Sequence, residues 1–86
     1  MIQFELEFFG PLQDQMGGRT DTMRTAFAPA TVDDLIRFVA DAKPGGDALR
    51  ASHIRLAIND RLVARHASLS LADGDRIAFM SPFSGG

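Results

Sequence analysis

The last five residues of the sequence are the part of the chain best suited to react with another molecule. No side chain from Ile77 to Gly86 is charged, so the α-carboxylate of Gly86 is the one ionised group of this stretch. Gly85 and Gly86 have no Cβ atom and fit a channel too narrow for other residues. Fully extended, the six residues after Met80 would carry the carboxylate roughly 20 Å from the folded body. The segment therefore predicts a thin tail that offers its carboxylate to the active site of another protein.

The residues at the start of this tail are expected to control how it is presented. Pro82 lacks a backbone N–H and ends the strand that the preceding residues predict. Phe83 is the one large apolar residue of the tail, and we expect it to anchor the tail on a partner protein. The alternative is that Phe83 folds back onto the core. Together with Ser84 and Gly85, these residues form the predicted partner-binding segment.

Other residues that carry chemistry do not form a site in this sequence. The chain has no cysteine, which excludes a thiolate nucleophile, a disulfide and a thiolate metal site. His53 and His66 do not have the spacing of metal ligands, and Asp73 and Asp75 are not part of a calcium-loop pattern. No Ser-His-Asp arrangement, phosphate-binding loop or pair of carboxylates indicates catalysis by the chain itself. We therefore expect no bound metal, no bound cofactor and a protein that is not an enzyme.

Composition indicates one small globular domain. The chain has 86 residues, of which 45% are hydrophobic, enough for a single core and too many for a disordered segment. The net charge is −2 and the basic residues are scattered, which argues against binding to nucleic acid. No apolar run reaches the length of a membrane span, and the first residues lack the basic start of a signal peptide. We therefore expect a cytoplasmic protein that binds neither nucleic acid nor membrane.

The first half of the chain predicts two strands and one long helix. Every second residue from Ile2 to Phe8 is apolar, the pattern of a half-buried strand. A weaker alternation from Arg19 to Ala28 predicts a second strand, antiparallel to the first, with Phe27 facing inward. Apolar residues then recur at helical spacing from Val32 to Ala40. Before them, Thr31 with Asp34 three residues later resembles a capping box, which predicts where the helix begins.

The second half predicts three further strands. Alternation from Ile54 to Ile58 gives the third strand, and Asn59-Asp60 is a turn that leads into a short return strand at Leu62-Val63. Asp73-Gly74-Asp75 forms a tight turn that leads into the last strand, Arg76 to Met80. The predicted order is therefore β-β-α-β-β-β.

This order predicts an α+β fold in which one main amphipathic helix packs on one face of a mixed β-sheet. If the first and last strands lie side by side, they are parallel and central, which is the β-grasp, or ubiquitin-like, arrangement. The β-grasp domain would span residues 1–81, and residues 82–86 would be a flexible tail. Phe9 and Met80 are expected on the sheet face opposite the helix, as part of a surface for a partner. The alternative for Phe9 is a rim position covered by a loop.

Several segments together resemble the ThiS/MoaD family of sulfur carriers, and within it the small subunit of molybdopterin synthase. The similarity lies in Leu56–Val63 (LAINDRLV), Leu71–Phe79 (LADGDRIAF) and Pro82–Gly86 (PFSGG). It extends to Phe8-Phe9 and to Thr31-Val32, so it covers nearly the whole chain. The combination of an Asp-Gly-Asp turn, a strand, a proline and a terminal Gly-Gly is more specific than any of its parts.

The resemblance implies a carrier rather than a catalyst. An E1-like adenylating enzyme would bind the tail and use ATP and Mg to adenylate the carboxylate of Gly86. A sulfur donor protein would then supply the sulfur that converts it to a thiocarboxylate. The large subunit of molybdopterin synthase would next accept the tail, and the sulfur would enter a pterin precursor of the molybdenum cofactor.

Two departures from the family pattern leave the pathway open. The molybdopterin carriers commonly have two consecutive prolines where this chain has Ser81-Pro82, and an aliphatic residue where it has Phe83. The alternatives are a sulfur carrier for thiamin thiazole or for cysteine, and a ubiquitin-like modifier that joins Gly86 to target lysines. A β-grasp interaction module whose tail has no chemistry is the remaining alternative. Pro82 favours a carrier of the molybdopterin pathway over one of the thiamin pathway, because the thiamin carriers tend to lack this proline.

Overall fold

The computed structural model describes residues 1–81, so the predicted tail, residues 82–86, lies outside the described residues. None of the helices in the described part has the length and apolar character needed to span a bilayer. The strands are β1 (Ile2–Phe8), β2 (Thr20–Thr25), β3 (Arg55–Ile58), β4 (Arg61–Val63) and β5 (Arg76–Met80). The helices are α1 (Leu12–Gln15) and α2 (Val32–Ala42), and a 3₁₀ helix spans Gly46–Arg50.

The five strands form one mixed sheet in the order β2-β1-β5-β3-β4. The first and last strands are parallel neighbours at its centre, with Leu6 beside Ile77 and Phe8 beside Phe79. Every other pair of neighbouring strands is antiparallel. The α+β class and the β-grasp arrangement predicted from the sequence are therefore confirmed.

One face of the sheet and one side of α2 form the core. Phe4, Leu6 and Phe8 of β1 are fully or almost fully buried, as the alternation predicts. The rings of Phe8 and Phe79 stack with their centroids 5.7 Å apart, which joins the two central strands through their side chains as well as their hydrogen bonds. Burying a side chain of this size contributes about 1.5–3 kcal/mol. From α2, the residues buried against the sheet are Val32, Leu35, Ile36, Val39 and Ala40.

The start of α2 is held by two different contacts. The side chain of Thr31 accepts a hydrogen bond from the backbone N–H of Asp34 (3.1 Å), as the predicted cap requires. The N–H of Val32 donates to the carbonyl oxygen of Ala67 (3.0 Å), which ties the helix to the segment between β4 and β5. The carboxylate of Asp34 does not complete a capping box but lies 4.0 Å from Arg37.

Arg65 links the segment after β4 to the segment before β3, a contact that the sequence does not predict. Its guanidinium donates to the carbonyl oxygens of Arg50 (3.1 Å), Ala51 (2.9 Å) and Ile54 (3.4 Å). The first of these carbonyls belongs to the end of the 3₁₀ helix and the other two to the segment that follows it, outside the sheet and the α-helices. A planar group with several fixed donors suits such a cluster of acceptors. The arginine therefore fixes the chain that leads into β3.

Phe27 is not inward-facing, and the prediction for it was wrong. Its side chain is 87% exposed. The cause is a turn directly after β2, in which the hydroxyl of Thr25 accepts from the N–H of Phe27 (3.1 Å) and donates to its carbonyl oxygen (2.9 Å). The chain has therefore left the sheet before it reaches Phe27, and the period of two no longer applies.

At Gly46 the chain passes so close to the backbone of α2 that only glycine fits. A Cβ atom at this position would lie 2.2 Å from the carbonyl oxygen of Ala40 and 2.7 Å from its Cα atom, both in the backbone of α2.

We expect Gly46→Ala to lower the free energy of unfolding by about 1–3 kcal/mol, the cost of overpacking, as measured by urea denaturation. Gly18→Ala is the control, because beyond the adjacent residues the nearest atom to its Cβ would be the carbonyl oxygen of Thr20, at 4.0 Å. Equal midpoints for the two variants would contradict this packing.

Candidate functional site

The predicted tail follows β5, a central strand of the sheet. β5 lies between β1 and β3, and its residues Ile77 and Phe79 are completely buried. Met80, the last residue of the strand, lies opposite Arg55 of β3, and Ser81 follows it as a half-buried residue. A central strand opens only when much of the domain unfolds. The residues that follow Ser81 therefore begin at a fixed point of the domain.

The turn that leads into β5 is held by side-chain hydrogen bonds. Asp75 accepts from the backbone N–H of Ala72 (2.8 Å) and from the amide nitrogen of Asn59 (2.9 Å). Asn59 in turn accepts from the N–H of Arg76 (3.0 Å). Both Asn59 and Asp60 have positive φ, 50° and 71°, as the tight turn between β3 and β4 requires. One polar network thus sets the position of that hairpin and of the start of β5.

The face of the sheet away from α2 carries a group of apolar side chains near the tail. By the strand registers, Ala57 lies opposite both Ala78 and Leu62, and Leu62 is 70% exposed. Phe9 follows the Phe8–Phe79 pair, so it lies next to Met80, and it is 38% exposed. We call Phe9, Ala57, Leu62, Ala78 and Met80 the open-face patch.

The other half of the same face is polar and its groups are paired. Glu5 accepts from the hydroxyl of Thr22 (2.9 Å), and Gln3 accepts from the guanidinium of Arg24 (2.9 Å), across β1 and β2. Arg76 lies between the two halves and donates to Asp60 (2.6 Å). The apolar half is thus the half in which β5 ends. A protein that bound this patch would lie beside Ser81, the last described residue.

Titratable side chains elsewhere have structural contacts. His66 Nδ1 lies 2.7 Å from a carboxylate oxygen of Asp33, whose other oxygen lies 3.8 Å from Arg65. Hydrogen bonds to Asp47 and then to Asp41 raise the pKa of Arg50, which is protonated at neutral pH in either case. Within residues 1–81, no group of three or more His, Cys, Asp or Glu side chains is placed to hold a metal ion.

The structure brings together two of the residues predicted to bind a partner, Phe9 and Met80. The others lie outside the described residues, as does the predicted reactive residue; these are Pro82, Phe83, Ser84, Gly85 and Gly86. Ala57, Leu62 and Ala78 were not predicted as members of the surface. Their signal in the sequence is weak but present, because β3, β4 and β5 carry apolar residues on both faces, whereas β1 alternates with Glu and Gln.

The network before β5 makes a stability prediction. We expect Asp75→Ala to lower the free energy of unfolding by about 1–3 kcal/mol, because the N–H of Ala72 and the amide of Asn59 lose their acceptor. Asp14→Ala is the control, since Asp14 is exposed and lies in the short helix α1. Thermal and urea unfolding followed by circular dichroism measure both. If the two variants unfolded together, the network would have no role in placing β5.

Comparison with known proteins places this geometry in a family. The sequence profile of the ThiS family matches residues 6–86. No curated protein sequence matches the chain significantly.

Solved structures share the fold over the whole chain. The crystal structure of SAMP1 from Haloferax volcanii is 26% identical, covers 98% of this chain and 99% of that chain, and has a TM-score of 0.74. A chain in the complex of subunits 1 and 2 of the molybdopterin-converting factor from Helicobacter pylori is 25% identical, with coverages of 99% and 100% and a TM-score of 0.66. A putative molybdopterin converting factor subunit 1 from Pyrococcus furiosus shares the fold at 17% identity, with coverages of 95% and 99% and a TM-score of 0.73. Because the family profile runs from the middle of β1 to Gly86, the chain belongs to the ThiS family.

Proposed function

We propose that this protein is a sulfur carrier that donates sulfur for molybdopterin synthesis as the small subunit of a molybdopterin synthase. Membership of the ThiS family supports a carrier, and the similarity to a chain of the Helicobacter pylori complex supports a large-subunit partner. The observation that carries the proposal is the position of β5. This strand ends beside the open-face patch, in which Phe9 and Leu62 are exposed, and a segment that ends in Gly85-Gly86 follows it.

The chemistry takes place at Gly86 in the active sites of other proteins. In an E1-like enzyme, the Gly86 carboxylate attacks the α-phosphate of Mg-bound ATP, which gives an acyl adenylate and releases pyrophosphate. A sulfur atom at the oxidation level of sulfide, supplied through a sulfur donor protein, then displaces AMP and leaves a thiocarboxylate. In the synthase, attack by that sulfur on the pterin precursor and hydrolysis return the carboxylate. The chain itself supplies no catalytic group in this sequence of steps.

The folded domain has two tasks in this scheme. The first is to hold the root of the tail, which central strand β5 does through its hydrogen bonds to β1 and β3. The second is to bind each partner long enough for the tail to enter its active site. Burial of apolar surface drives such binding, with about 25 cal/mol for each Å² removed from water. Leu62 and Phe9 expose the most area of the open-face patch to such a partner.

Arg55 gives this surface a charge preference. It is exposed, lies opposite Met80 at the edge of the open-face patch, and makes no ion pair with any carboxylate of residues 1–81. The carboxylates on the polar half of the face are paired with Thr22 and Arg76 instead. A partner with a carboxylate near the entrance of its tail channel would therefore complement Arg55. Such charges at the rim of an interface act mainly on orientation and association rate.

A ubiquitin-like modifier is the second candidate, because SAMP1 of Haloferax volcanii is named a small archaeal modifier protein. In that function, Gly86 would form an isopeptide bond with a lysine of another protein. Chains of this protein linked to itself would have to use Lys43, its one lysine. The side chain of Lys43 is 16% exposed and forms an ion pair with Asp21. It is therefore a poor acceptor, so single attachments rather than chains are expected of a modifier.

The first test measures the mass of the intact protein. Co-expression with a cognate E1-like enzyme and sulfur donor should raise the mass by one exchange of oxygen for sulfur, because Gly86 becomes a thiocarboxylate. Deletion of Gly85-Gly86 is the control and should abolish the change with the fold intact. An unchanged wild-type mass in the presence of active partners would refute sulfur carriage.

Two further measurements separate the alternatives. The first adds the thiocarboxylate form of the protein and a large subunit to the pterin precursor. Formation of molybdopterin would distinguish this pathway from thiamin thiazole or cysteine synthesis. Mass spectrometry of a cell lysate would detect proteins linked to Gly86 through lysine, which only the modifier function produces.

A further prediction concerns the open-face patch. We expect Met80→Arg to weaken binding to the large subunit by about 30-fold, the effect of a residue worth 2 kcal/mol at the centre of an interface. Phe27→Arg is a matched control, since Phe27 is an even more exposed apolar residue at the opposite end of β1. Calorimetry measures both affinities, and circular dichroism checks that both variants fold. Equal affinities for the two variants would exclude the patch as the docking surface.

A further inference from the structure

A groove lies beside the point where the chain leaves β5. It runs between α1 and the segment that follows the 3₁₀ helix, and its volume is about 200 Å³. Ser81, the last described residue, lines it, because Ser81 follows the Met80–Arg55 pair and is therefore next to Ile54. Anything that occupies the groove thus lies directly against the root of the tail.

The lining of the groove suits an apolar side chain. Leu12 and Ile54 are almost completely buried residues of the core, and their side chains contribute to the lining. Ala48 and Ala51 are half-buried, and their small side chains leave space above this core. Gln15 and His53 add polar groups to the lining, whereas no Asp, Glu, Lys or Arg of residues 1–81 lines the groove. The groove therefore offers an apolar floor with polar groups at its side, which suits an aromatic side chain better than an ionic ligand.

The chain itself supplies a side chain of this kind within reach. Phe83 is the one large apolar residue among residues 82–86, and it follows Ser81 by two positions. Two residues of extended chain span about 7 Å, enough to cross the edge of the groove. Pro82 and Ser84 on either side of it are uncharged, so they also suit this lining. We propose that the groove binds the side chain of Phe83, which gives the tail a docked state and a free state.

A second cavity does not meet the same conditions. It lies between α2 and the strands β3 and β4, and its volume is about 110 Å³. Arg55 and Arg65 line it together with apolar residues such as Val63. Ser81 does not line it, so Phe83 would have to reach past Ile54 to enter it. Val63 therefore provides a probe that should not respond to Phe83.

Docking of Phe83 would regulate the tail. A partner that needs the tail binds only the free state, so its apparent dissociation constant equals the intrinsic one divided by the free fraction. Binding energy on the open-face patch would then be used in part to release Phe83. This consequence rests on the proposed function, whereas the docking itself does not.

The test uses NMR spectroscopy of the isolated full-length protein, without partner or ATP. We expect nuclear Overhauser effects from the Phe83 ring to the methyl groups of Ala48, Ala51 and Ile54. Phe83→Ala should remove them and shift these methyl resonances, because the ring current is lost. Ser84→Ala is the matched control and should leave the methyl resonances in place. The methyl resonances of Val63 should not respond to either change.

A variant of the groove itself completes the test. Ala51→Leu should fill the groove and remove the same Overhauser effects, with the backbone amide spectrum showing that the fold is kept. Methyl resonances that do not respond to Phe83→Ala would overturn the proposal, as would contacts of the ring with Val63. In a mixture of labelled and unlabelled protein, contacts found only between chains would assign the groove to the tail of a second copy and would also overturn it. A protein with a docked Phe83 that never forms a thiocarboxylate would refute the proposed function and leave this inference standing.

Discussion

The parallel pairing of β1 with β5 is the contact on which the rest of the structure depends. β1 and β5 lie near the two ends of the described chain, so their pairing brings all the elements between them into one fold. On one face it stacks Phe8 on Phe79, and both rings are buried in the core. On the other face it sets Phe9 beside Met80. One register therefore produces both the stability of the domain and the surface beside the tail.

The two halves of the open face differ in polarity. Across β1 and β2, hydrogen bonds such as that of Glu5 with Thr22 satisfy the polar groups within the domain itself. Across β3, β4 and β5, small or apolar residues such as Ala57 and Leu62 leave a surface with few polar side chains that need hydrogen-bond partners. The first half therefore has few groups left for other contacts, and the second half has apolar area that is not covered by the described domain. This apolar area lies at the end of the sheet where β5 ends.

Regular alternation made most of this fold predictable. The predicted last strand, Arg76 to Met80, has the observed bounds, and the helix begins at its predicted cap, because both signals are local. Phe27 was misplaced because the Thr25 side chain closes a turn that alternation does not reveal. The clamp of Arg65 on three carbonyls was not predictable, since its acceptors come together only in the folded chain. At the site, alternation was enough to predict Phe9 and Met80 as members of one surface, whereas the contacts that orient the turn before β5 depend on strand pairing.

The direction of the two central strands has a mechanical consequence. Because β1 and β5 are parallel neighbours, the start of β1 and the end of β5 lie at opposite ends of the sheet. A pull on the chain beyond Ser81, opposed by a grip on the start of β1, loads the hydrogen bonds between the two strands in shear. These bonds then share the force, instead of opening one after another as they would if an edge strand were peeled away. The central pair of strands therefore resists a pull along its own axis better than an edge strand of the same length would.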